Sequence, residues 1–482
     1  MQIINPKIFR ITVILIWVVL FGALLNRDYF VRTLEIGEQE ALERGRQESF
    51  LAIYFKDERI GYVKHRLVPG APGQVELRQE AFMVLNILDD SYPVDLRVRA
   101  RLTDRFLLQD FNFHFTSPFY RMSAQGEVRG REVRLALTTG KETIDEVIRL
   151  DQPPYLATNQ RAFLLRHDLK EGDKIRVPYF DPLSLSGKDT VVEYRGLDKI
   201  LIQGRVRTLH RFEENYSGIR INSWLDDSGR VVKEESPAGF VFIAEPEFKA
   251  TDITVKGREI LSSVSVRAEG AMPEDPERLS AMRYRLALPE GVVFELDQDR
   301  QSLTNDILTV SRETLPANDG TACTGPEEEL ASTPYIQASN QMIRDRAAAI
   351  AGDTDRPMEM VRRLTGWVYD NLEKRPVLGI PDARTTLETR IGDCNEHAAL
   401  FAALARSLGI PTRLAAGVTF HEGAFYYHAW NEVCIDDQWI SLDTTKNQLP
   451  ADLTHLKFAS GEIRELVKIG ALIGKLGVEI LE

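Results

Sequence analysis

Three residues near the C-terminal end of the chain are of the types that together perform thiol chemistry. Cys394 stands at the start of a segment with helical spacing, His428 lies within a predicted strand, and Asp443 closes the next predicted strand. A thiol within reach of an imidazole base, itself oriented by a carboxylate, is the general arrangement of an activated nucleophile. The spacing permits this triad without proving it.

The segment that follows Cys394 is expected to hold the sulfur rigidly. Apolar residues recur at helical spacing from Ala398 to Leu408, and Gly409-Ile410-Pro411 ends the pattern. A thiol in the first turn of a helix lies at the positive end of the helix dipole, which favours the thiolate. We therefore expect this location to activate Cys394, and we expect its backbone N–H to serve as an oxyanion donor.

Three predicted strands must position the other two members. They span residues 412–420, 425–435 and 438–443, with short turns between them. Antiparallel pairing through a two-residue turn can bring Asp443 beside His428. Upstream, helical spacing predicts two further helices, over residues 342–351 and 358–372.

The segments TRIGDCNEHAALFAALARSLGIPTRLAAG, YYHAWNEV and QWISLDTT resemble the transglutaminase-like superfamily over roughly residues 363–450. The resemblance implies a papain-like α+β domain in which Cys394 is the nucleophile, His428 the base and then the acid, and Asp443 the orienting carboxylate. One departure is Thr444, where the family commonly has proline, and it leaves the carboxylate in place. The whole architecture is similar to that of uncharacterised bacterial envelope proteins.

Other residues near the triad are assigned with alternatives. Trp430, Asp393 and Asn395 are predicted to line a substrate cleft, although Trp430 could be plain core and Asp393 a helix-start residue. His397 and His421 are predicted to be structural. The sequence contains no calcium loop of the D-x-D-x-D-G type, so we predict no metal and no cofactor.

The cysteines are too few for a disulfide framework. Cys323, Cys394 and Cys434 include no CxxC pair that would indicate zinc. Cys434 is predicted to be a packing residue on the strand of His428, with a regulatory disulfide as the alternative. Cys323 is predicted to have no special role.

The first residues predict a membrane segment. Residues 11–25 are almost uninterruptedly apolar, and Lys7 and Arg10 precede them. The run is at the short limit for a spanning helix and at the long limit for a signal peptide. Because it lacks a small-x-small cleavage pattern, we favour an uncleaved anchor over a cleaved signal. The expected location is the bacterial inner membrane, with a single pass and the bulk of the chain facing the periplasm.

The remaining patterns predict an α+β chain of several domains. The expected divisions are an anchor at 1–27, a stalk at 28–50, an antiparallel β-rich domain at 51–250, a second β-type domain at 251–325, and the transglutaminase-like domain at 326–482. Two-residue alternation dominates residues 51–247, which predicts a curved sheet or open barrel, and a helix is expected near 159–169. Turn residues within this region place successive strands side by side.

The net charge of the chain and the predicted thiol chemistry limit the classes of function that we expect. The net charge of −12 argues against nucleic acid as a partner. The expected activity is attack on amide bonds of a protein or peptide substrate in the cell envelope through an acyl-thioester, with hydrolysis favoured over cross-linking. The alternative is a non-catalytic binding or scaffold protein with a vestigial thiol core. The expected non-protein contact is the lipid bilayer, through the N-terminal helix.

Overall fold

The structure is a computed structural model. It describes residues 32–33 and 47–481 except positions 89, 141, 157–163, 166–168, 182–185, 217–218, 237–238, 254–258, 261–263, 275, 290–291, 317–319 and 325–326. The predicted anchor lies outside the described residues, as do most of the predicted stalk and of the predicted helix near 159–169. In the part of the chain that is described, no helix is both long enough and apolar enough to cross a membrane.

The N-terminal half forms one large, almost entirely antiparallel sheet. Its strands are β1 (Arg32–Thr33), β2 (Gln47–Phe55), β3 (Glu58–Pro69), β4 (Gln74–Ile87), β5 (Asp90–Thr103), β6 (Leu108–Ser117), β7 (Tyr120–Arg129), β8 (Glu132–Thr139), β9 (Glu142–Arg149), β10 (Tyr155–Leu156), β11 (Lys174–Asp181), β12 (Ser186–Ile202), β13 (Arg205–Tyr216), β14 (Ile219–Leu225), β15 (Val231–Glu235) and β16 (Phe240–Ala244). The order is β1-β11-β12-β13-β14-β15-β16-β2-β3-β4-β5-β6-β7-β8-β9, with β10 paired to β11.

Two-residue alternation builds this sheet as the sequence predicts. Along β5, Val94, Val98 and Ala100 are buried while Arg97 and Arg99 are exposed. Each strand from β2 to β9 pairs with its neighbours in the chain, which confirms the expected hairpins.

The sheet also curls on itself, as the sequence predicts for this region. Phe111 on β6 packs against Phe180 on β11, with ring centroids 5.3 Å apart. These two strands are distant in the order of the sheet, so a flat sheet would keep their side chains apart.

A second sheet carries the C-terminal half. Its strands are β17 (Val266–Glu269), β18 (Ala281–Ala287), β19 (Gln301–Thr304), β20 (Ile307–Ser311), β23 (Thr412–His421), β24 (Ala424–Ile435), β25 (Gln438–Leu442), β26 (Leu456–Gly461) and β27 (Gly477–Ile480). The order is β19-β20-β18-β27-β17-β24-β23-β26, with β25 paired to β24. The short strands β21 (Glu373–Lys374) and β22 (Ile391–Gly392) form a separate parallel pair.

Helices in the described residues include α1 (Glu247–Ala250), α2 (Gln341–Ala351), α3 (Pro357–Asn371), α4 (Ala383–Thr389), α5 (Cys394–Ser407) and α6 (Ile463–Leu466), with 3₁₀ turns at Pro276–Arg278, Glu327–Glu329 and Val467–Leu472. Helix α5 packs against β23 and β24 of the second sheet, whereas α1 contacts β2 of the large sheet. The apolar spacing that predicts helices over 342–351 and 358–372 is confirmed by α2 and α3. Helix α5 is the central one, because nearly all its side chains after the first turn are buried.

The expectation of a separate β-type domain at 251–325 requires correction. Strands β17 to β20 belong to the same hydrogen-bonded sheet as β23 to β27. Side-chain hydrogen bonds also join the two groups of strands, since Asp299, just before β19, accepts from Arg413 on β23 and from Lys457 on β26. Local alternation predicts a strand but does not identify its partner, so the sequence could not show that these strands complete the catalytic sheet.

A buried polar contact joins the large sheet to the segment that leads into α5. The Thr139 hydroxyl on β8 donates to Asp382 at 2.9 Å, and the Gln337 amide donates to the same carboxylate at 2.6 Å. Asp382 is also the N-cap of α4, where it accepts from the backbone N–H of Thr385. At the same junction the ring of Tyr120 leaves no room for a Cβ on Gly379.

Candidate active site

The start of α5 places Cys394. Asp393 is the N-cap, and its carboxylate accepts from the backbone N–H of Asn395 at 2.9 Å. Glu396 reaches back to accept from the N–H of Asp393 at 3.0 Å, which completes a capping box. A Cβ on Gly392 would lie 2.4 Å from the Cβ of Glu396, so this tight entry to the helix requires glycine. The sulfur therefore projects from a helix start whose backbone is held by the capping box and by the close packing at Gly392.

Two contacts fasten this helix to the strand that carries His428. The Asn431 amide on β24 donates to the carbonyl of Ala398 on α5 at 3.0 Å. The Cys394 side chain packs against the cluster that includes Ala429, and the backbone N–H of Ala429 lies close enough to the sulfur to oppose the rise in its pKa. Because Ala429 follows His428 directly, the thiol on α5 lies beside the part of β24 that carries the imidazole.

His428 contacts Asp443 as the spacing predicts. The Nε2 of His428 lies 2.8 Å from Oδ2 of Asp443. The two-residue turn Asp436-Asp437, in which both residues have positive φ, pairs β24 with β25 and sets this alignment. Asp443 is fully buried, whereas the side chain of His428 retains 10% exposure. The imidazole is thus the member of the pair that a substrate can reach.

A second imidazole, that of His455, contacts the same carboxylate, and no sequence motif predicted it. Its Nε2 lies 3.1 Å from Oδ2 of Asp443, and its Nδ1 lies 2.9 Å from Oδ1 of Asp452. The other oxygen of Asp443 accepts from the backbone N–H groups of Thr445 and Lys446. The D-x-x-H spacing of Asp452 and His455 was visible in the sequence, but nothing local linked it to Asp443.

These contacts determine the charge of the buried carboxylates. Burial by itself would raise the pKa of Asp443, but the hydrogen bonds and charges of His428 and His455 outweigh it and hold the pKa well below its ordinary value. Burial likewise opposes ionisation of Asp452, yet the hydrogen bond and charge of His455 and the donors Thr454 and Gln448 lower its pKa strongly. Both carboxylates are ionised at neutral pH.

The surroundings of Cys394 oppose the activation that the helix start is expected to give. Burial raises the pKa of Cys394 well above its ordinary value, and the negative charge of Asp393 raises it further, against the hydrogen bond from Ala429. The capping carboxylate that stabilises the helix lies next to the sulfur and opposes the dipole. These causes favour the neutral thiol over the thiolate.

Two other titratable groups lie on the first turns of α5. Burial raises the pKa of Glu396 well above its ordinary value, and the charge of Asp393 adds to the effect. Burial lowers the pKa of His397, whose Nδ1 lies 2.7 Å from the carbonyl of Asp393. The Nε2 of His397 is buried and has no hydrogen-bond partner among the described residues.

The residues predicted to line a substrate cleft take three different positions. Asn395 is exposed in the first turn of α5 and donates through its side chain to Asp393. Asp393 is half-buried as the helix cap. Trp430 retains only 2% exposure and stacks on His428, with ring centroids 6.3 Å apart and an interplanar angle of 20°. Residues two apart on a strand share a face, so Trp430 packs beside the imidazole as a buried residue, which favours the alternative that it belongs to the core.

The expectations for Cys323 and Cys434 also require correction. The two cysteines form a disulfide bond although 111 residues separate them. The bond fastens the segment before the helices to the strand of His428, and of the three cysteines in the sequence it leaves Cys394 free. Cysteine count alone could not reveal this pairing, because it depends on a long-range contact.

The imidazoles of His428 and His455 and the carboxylate of Asp443 place three ligand-type atoms within 4.8 Å of one another. Two imidazoles and a carboxylate can hold a transition metal in other proteins. Here each of the three atoms already has a hydrogen-bond partner, which satisfies it without an ion. We therefore assign no metal to this group, and the absence of a metal requirement stays a prediction.

Comparison with known families agrees with this geometry. Residues 344–444 match the transglutaminase-like superfamily. This stretch includes α3, α5, the strand that carries His428, and Asp443 directly after β25, so the C-terminal half contains a transglutaminase-like domain. No curated protein matches the chain.

Solved structures show more distant likenesses. A "putative cysteine protease" from Cytophaga hutchinsonii is 19% identical, with 41% of this chain and 83% of that chain covered and a TM-score of 0.27. A beta-barrel-like protein of a domain of unknown function from Brucella abortus is 10% identical over 41% of this chain and 94% of that one, with a TM-score of 0.32. A "putative protease" from Parabacteroides distasonis is 13% identical, with 82% of this chain and 68% of that chain covered and a TM-score of 0.24.

Proposed function

We propose that this protein is a thiol enzyme that attacks amide bonds through an acyl-thioester on Cys394. The observation that carries the proposal is the contact between His428 and Asp443, made next to Ala429, against whose cluster the Cys394 side chain packs. An oriented imidazole beside a free thiol is the arrangement that nucleophilic catalysis requires.

The first half-reaction follows from the hydrogen bonds. Because Nε2–H of His428 donates to Asp443, Nδ1 is the nitrogen left to act as a base. The Cys394 sulfur bonds to the carbonyl carbon of the amide as its proton passes to Nδ1. That proton then goes to the amide nitrogen, the C–N bond breaks, and an amine leaves the acyl-thioester. General-base help at the moment of attack suits a neutral thiol.

The second half-reaction decides the product. Water that gives a proton to His428 would release a carboxylic acid and regenerate the thiol. An amine in place of water would form a new amide and make the enzyme a cross-linker. We favour hydrolysis, with a protein or peptide of the cell envelope as the substrate. The N–H of Cys394, which has no carbonyl partner within its helix, would stabilise the oxyanion.

We place the enzyme in the bacterial inner membrane, anchored by its N-terminal apolar segment, with the catalytic domain outside the cytoplasm. The disulfide between Cys323 and Cys434 supports an exported location, because such bonds form and persist in oxidising compartments. Whether the apolar segment is retained or cleaved can be read from the mass of the N-terminal peptide of protein isolated from membranes.

A non-catalytic binding or scaffold role is the second candidate. The raised pKa of Cys394 favours it, because an unreactive thiol is what a vestigial site would retain. The intact contacts of His428 and Asp443 oppose it, since a scaffold has no use for an oriented base.

Turnover by matched variants separates the two candidates. Purified full-length protein, Cys394→Ala and His428→Ala would each be incubated with an envelope protein extract and with peptidoglycan peptides. New N-termini detected by mass spectrometry indicate hydrolysis, and new isopeptide links indicate cross-linking. We expect new termini with the wild type only. Equal product from Cys394→Ala would refute the thiol mechanism, and no product from any protein, with an unreactive thiol, would support the scaffold.

A further inference from the structure

The hydrogen bonds of His455 give it a function that the proposed triad does not include. Its ring is fully buried, and each ring nitrogen faces a carboxylate oxygen, Nε2 that of Asp443 and Nδ1 that of Asp452. A carboxylate has no proton to offer when it is ionised, so both ring nitrogens must donate. A ring that donates from both nitrogens is an imidazolium.

The acceptors on either side support this assignment of protons. Asp443 accepts hydrogen bonds from His428, His455 and two backbone N–H groups, so both its oxygens are hydrogen-bonded without a proton on the carboxylate. Asp452 accepts from His455, from the Thr454 hydroxyl and N–H, and from the Gln448 amide. Each carboxylate is saturated with donors, which is the environment of an anion.

The segment that carries His455 is itself held in place by two side chains that flank strands β19 and β20. Arg300, next to β19, donates to the carbonyls of Ala451, Asp452 and His455. Its ion-pair partner Glu313 accepts from the backbone N–H and the hydroxyl of Ser441, two residues before Asp443. One ion pair thus fixes both segments that converge on the carboxylate.

We propose that His455 is a positioning residue, an imidazolium that holds Asp443 in the orientation in which it fixes His428. The inference deepens the proposed function and rests on it for the readout of turnover. His455 acts through Asp443, since its ring nitrogens are both occupied and it is buried away from any substrate. Its positive charge also offsets the charge of Asp443, so that removal of the ring changes both the geometry and the local electrostatics.

Two substitutions separate these effects from simple packing. His455→Gln keeps a donor that can reach Asp443 but loses the charge, and His455→Leu fills similar space with neither. We expect kcat to fall about tenfold to a hundredfold in His455→Gln and further in His455→Leu, short of the roughly 10⁴-fold loss that follows removal of an orienting carboxylate in other triads. His421→Gln, at an exposed histidine on the end of β23, is the matched control and should leave kcat unchanged.

The pH profile supplies the readout that a packing role would not change. The groups that face the His455 ring are Asp443 and Asp452 at its nitrogens and the rings of His428 and Trp430 at its edge. Loss of the His455 charge removes one of the causes that hold the pKa of Asp443 low, so Asp443 takes up a proton at higher pH. The acid limb of kcat/KM should therefore move up in His455→Gln by about one pH unit.

Alkylation of Cys394 tests the same point without a substrate. With the His455 charge gone, Asp443 acts more strongly on the thiol, and the alkylation rate of the folded variant should also shift to higher pH. A His455→Gln protein that folds and keeps both the wild-type kcat and the wild-type profiles overturns the inference. If the wild type turns over nothing, the proposed function fails, and the alkylation profile still decides for or against His455.

Discussion

The Nε2 atom of His428 lies 2.8 Å from Oδ2 of Asp443, and the carboxylate is fully buried. Replacing Asp443 by asparagine keeps the shape but can present an amide N–H to Nε2, which favours the wrong tautomer of His428. We expect Asp443→Asn to lower kcat about 10³- to 10⁴-fold. Steady-state kinetics with far-UV circular dichroism as the fold check would measure this. Asp437→Asn, on the exposed turn, is the control, and a loss below tenfold in Asp443→Asn would contradict the assigned contact.

The reactivity of Cys394 should follow a neutral thiol. Because burial and Asp393 raise its pKa, the rate of iodoacetamide labelling should still be rising at pH 8.5, near the ordinary pKa of a thiol. Asp393→Asn removes one cause of the raised pKa while keeping a good helix cap, so its profile should move to lower pH. Mass spectrometry of the Cys394 peptide reports the rate. A wild-type rate that is high and level from mildly acidic pH upward would instead indicate a thiolate–imidazolium pair.

The disulfide between Cys323 and Cys434 closes a long loop onto the strand of His428. Cross-linking residues 111 apart restricts the unfolded chain, so Cys323→Ser should lower the free energy of unfolding by about 2–5 kcal/mol. Denaturant unfolding of the oxidised proteins measures the difference. Reduction with dithiothreitol should lower the free energy of unfolding of the wild type to that of the variant, and it should leave the value of the variant unchanged. A variant as stable as the oxidised wild type would show that the bond contributes nothing.

The Thr139 hydroxyl is the donor from the large sheet to the buried carboxylate of Asp382. In Thr139→Val one hydrogen bond to a charged group is lost while the shape is kept, which should cost about 1.5–3 kcal/mol. Thr138→Val, one residue earlier, removes only a contact with Thr143 and should cost much less. Thermal and denaturant unfolding of the two variants compares them. Equal stabilities would mean that the junction does not depend on this contact.

Gly417 on β23 lies directly opposite His428. A Cβ there would lie 1.8 Å from the carbonyl oxygen of Leu456 and 2.9 Å from the Trp430 ring, so Gly417→Ala should destabilise the protein by about 1–3 kcal/mol or more and lower turnover. Gly366, within α3, has open space around its Cβ position, and Gly366→Ala should stabilise the helix by about 0.5–1 kcal/mol. Paired denaturation curves should give changes in the free energy of unfolding of opposite sign, and two changes of the same sign would contradict this packing.

Much of the architecture was predictable because it is encoded locally. Alternation along β5 and β6, helical spacing in α2, α3 and α5, and two-residue turns before β24 and β25 each report the environment of neighbouring residues. The same locality placed Cys394 at a helix start and Asp443 at a strand end. The three motifs of the transglutaminase-like segment lie close together in the chain, so their order alone indicated the site.

Other features depended on contacts that no local pattern reports. Strands β17 to β20 could be recognised as strands from the sequence. Their pairing in the sheet of β24 and β27 depends on long-range contacts that local alternation does not report. Burial also changed the chemistry expected of Cys394, since the sequence shows the helix dipole but not the desolvation or the distance to Asp393.

The sequence by itself determined which residue types carry the chemistry, in what order, and on which helix and strands they lie, because periodicity and turn residues act over short stretches of chain. Only the tertiary structure decided that Cys323 bonds to Cys434, that Asp443 is shared between His428 and His455, and that the surroundings of Cys394 favour the neutral thiol. Those outcomes arise from burial and from contacts between distant segments, and both exist only once the chain has packed.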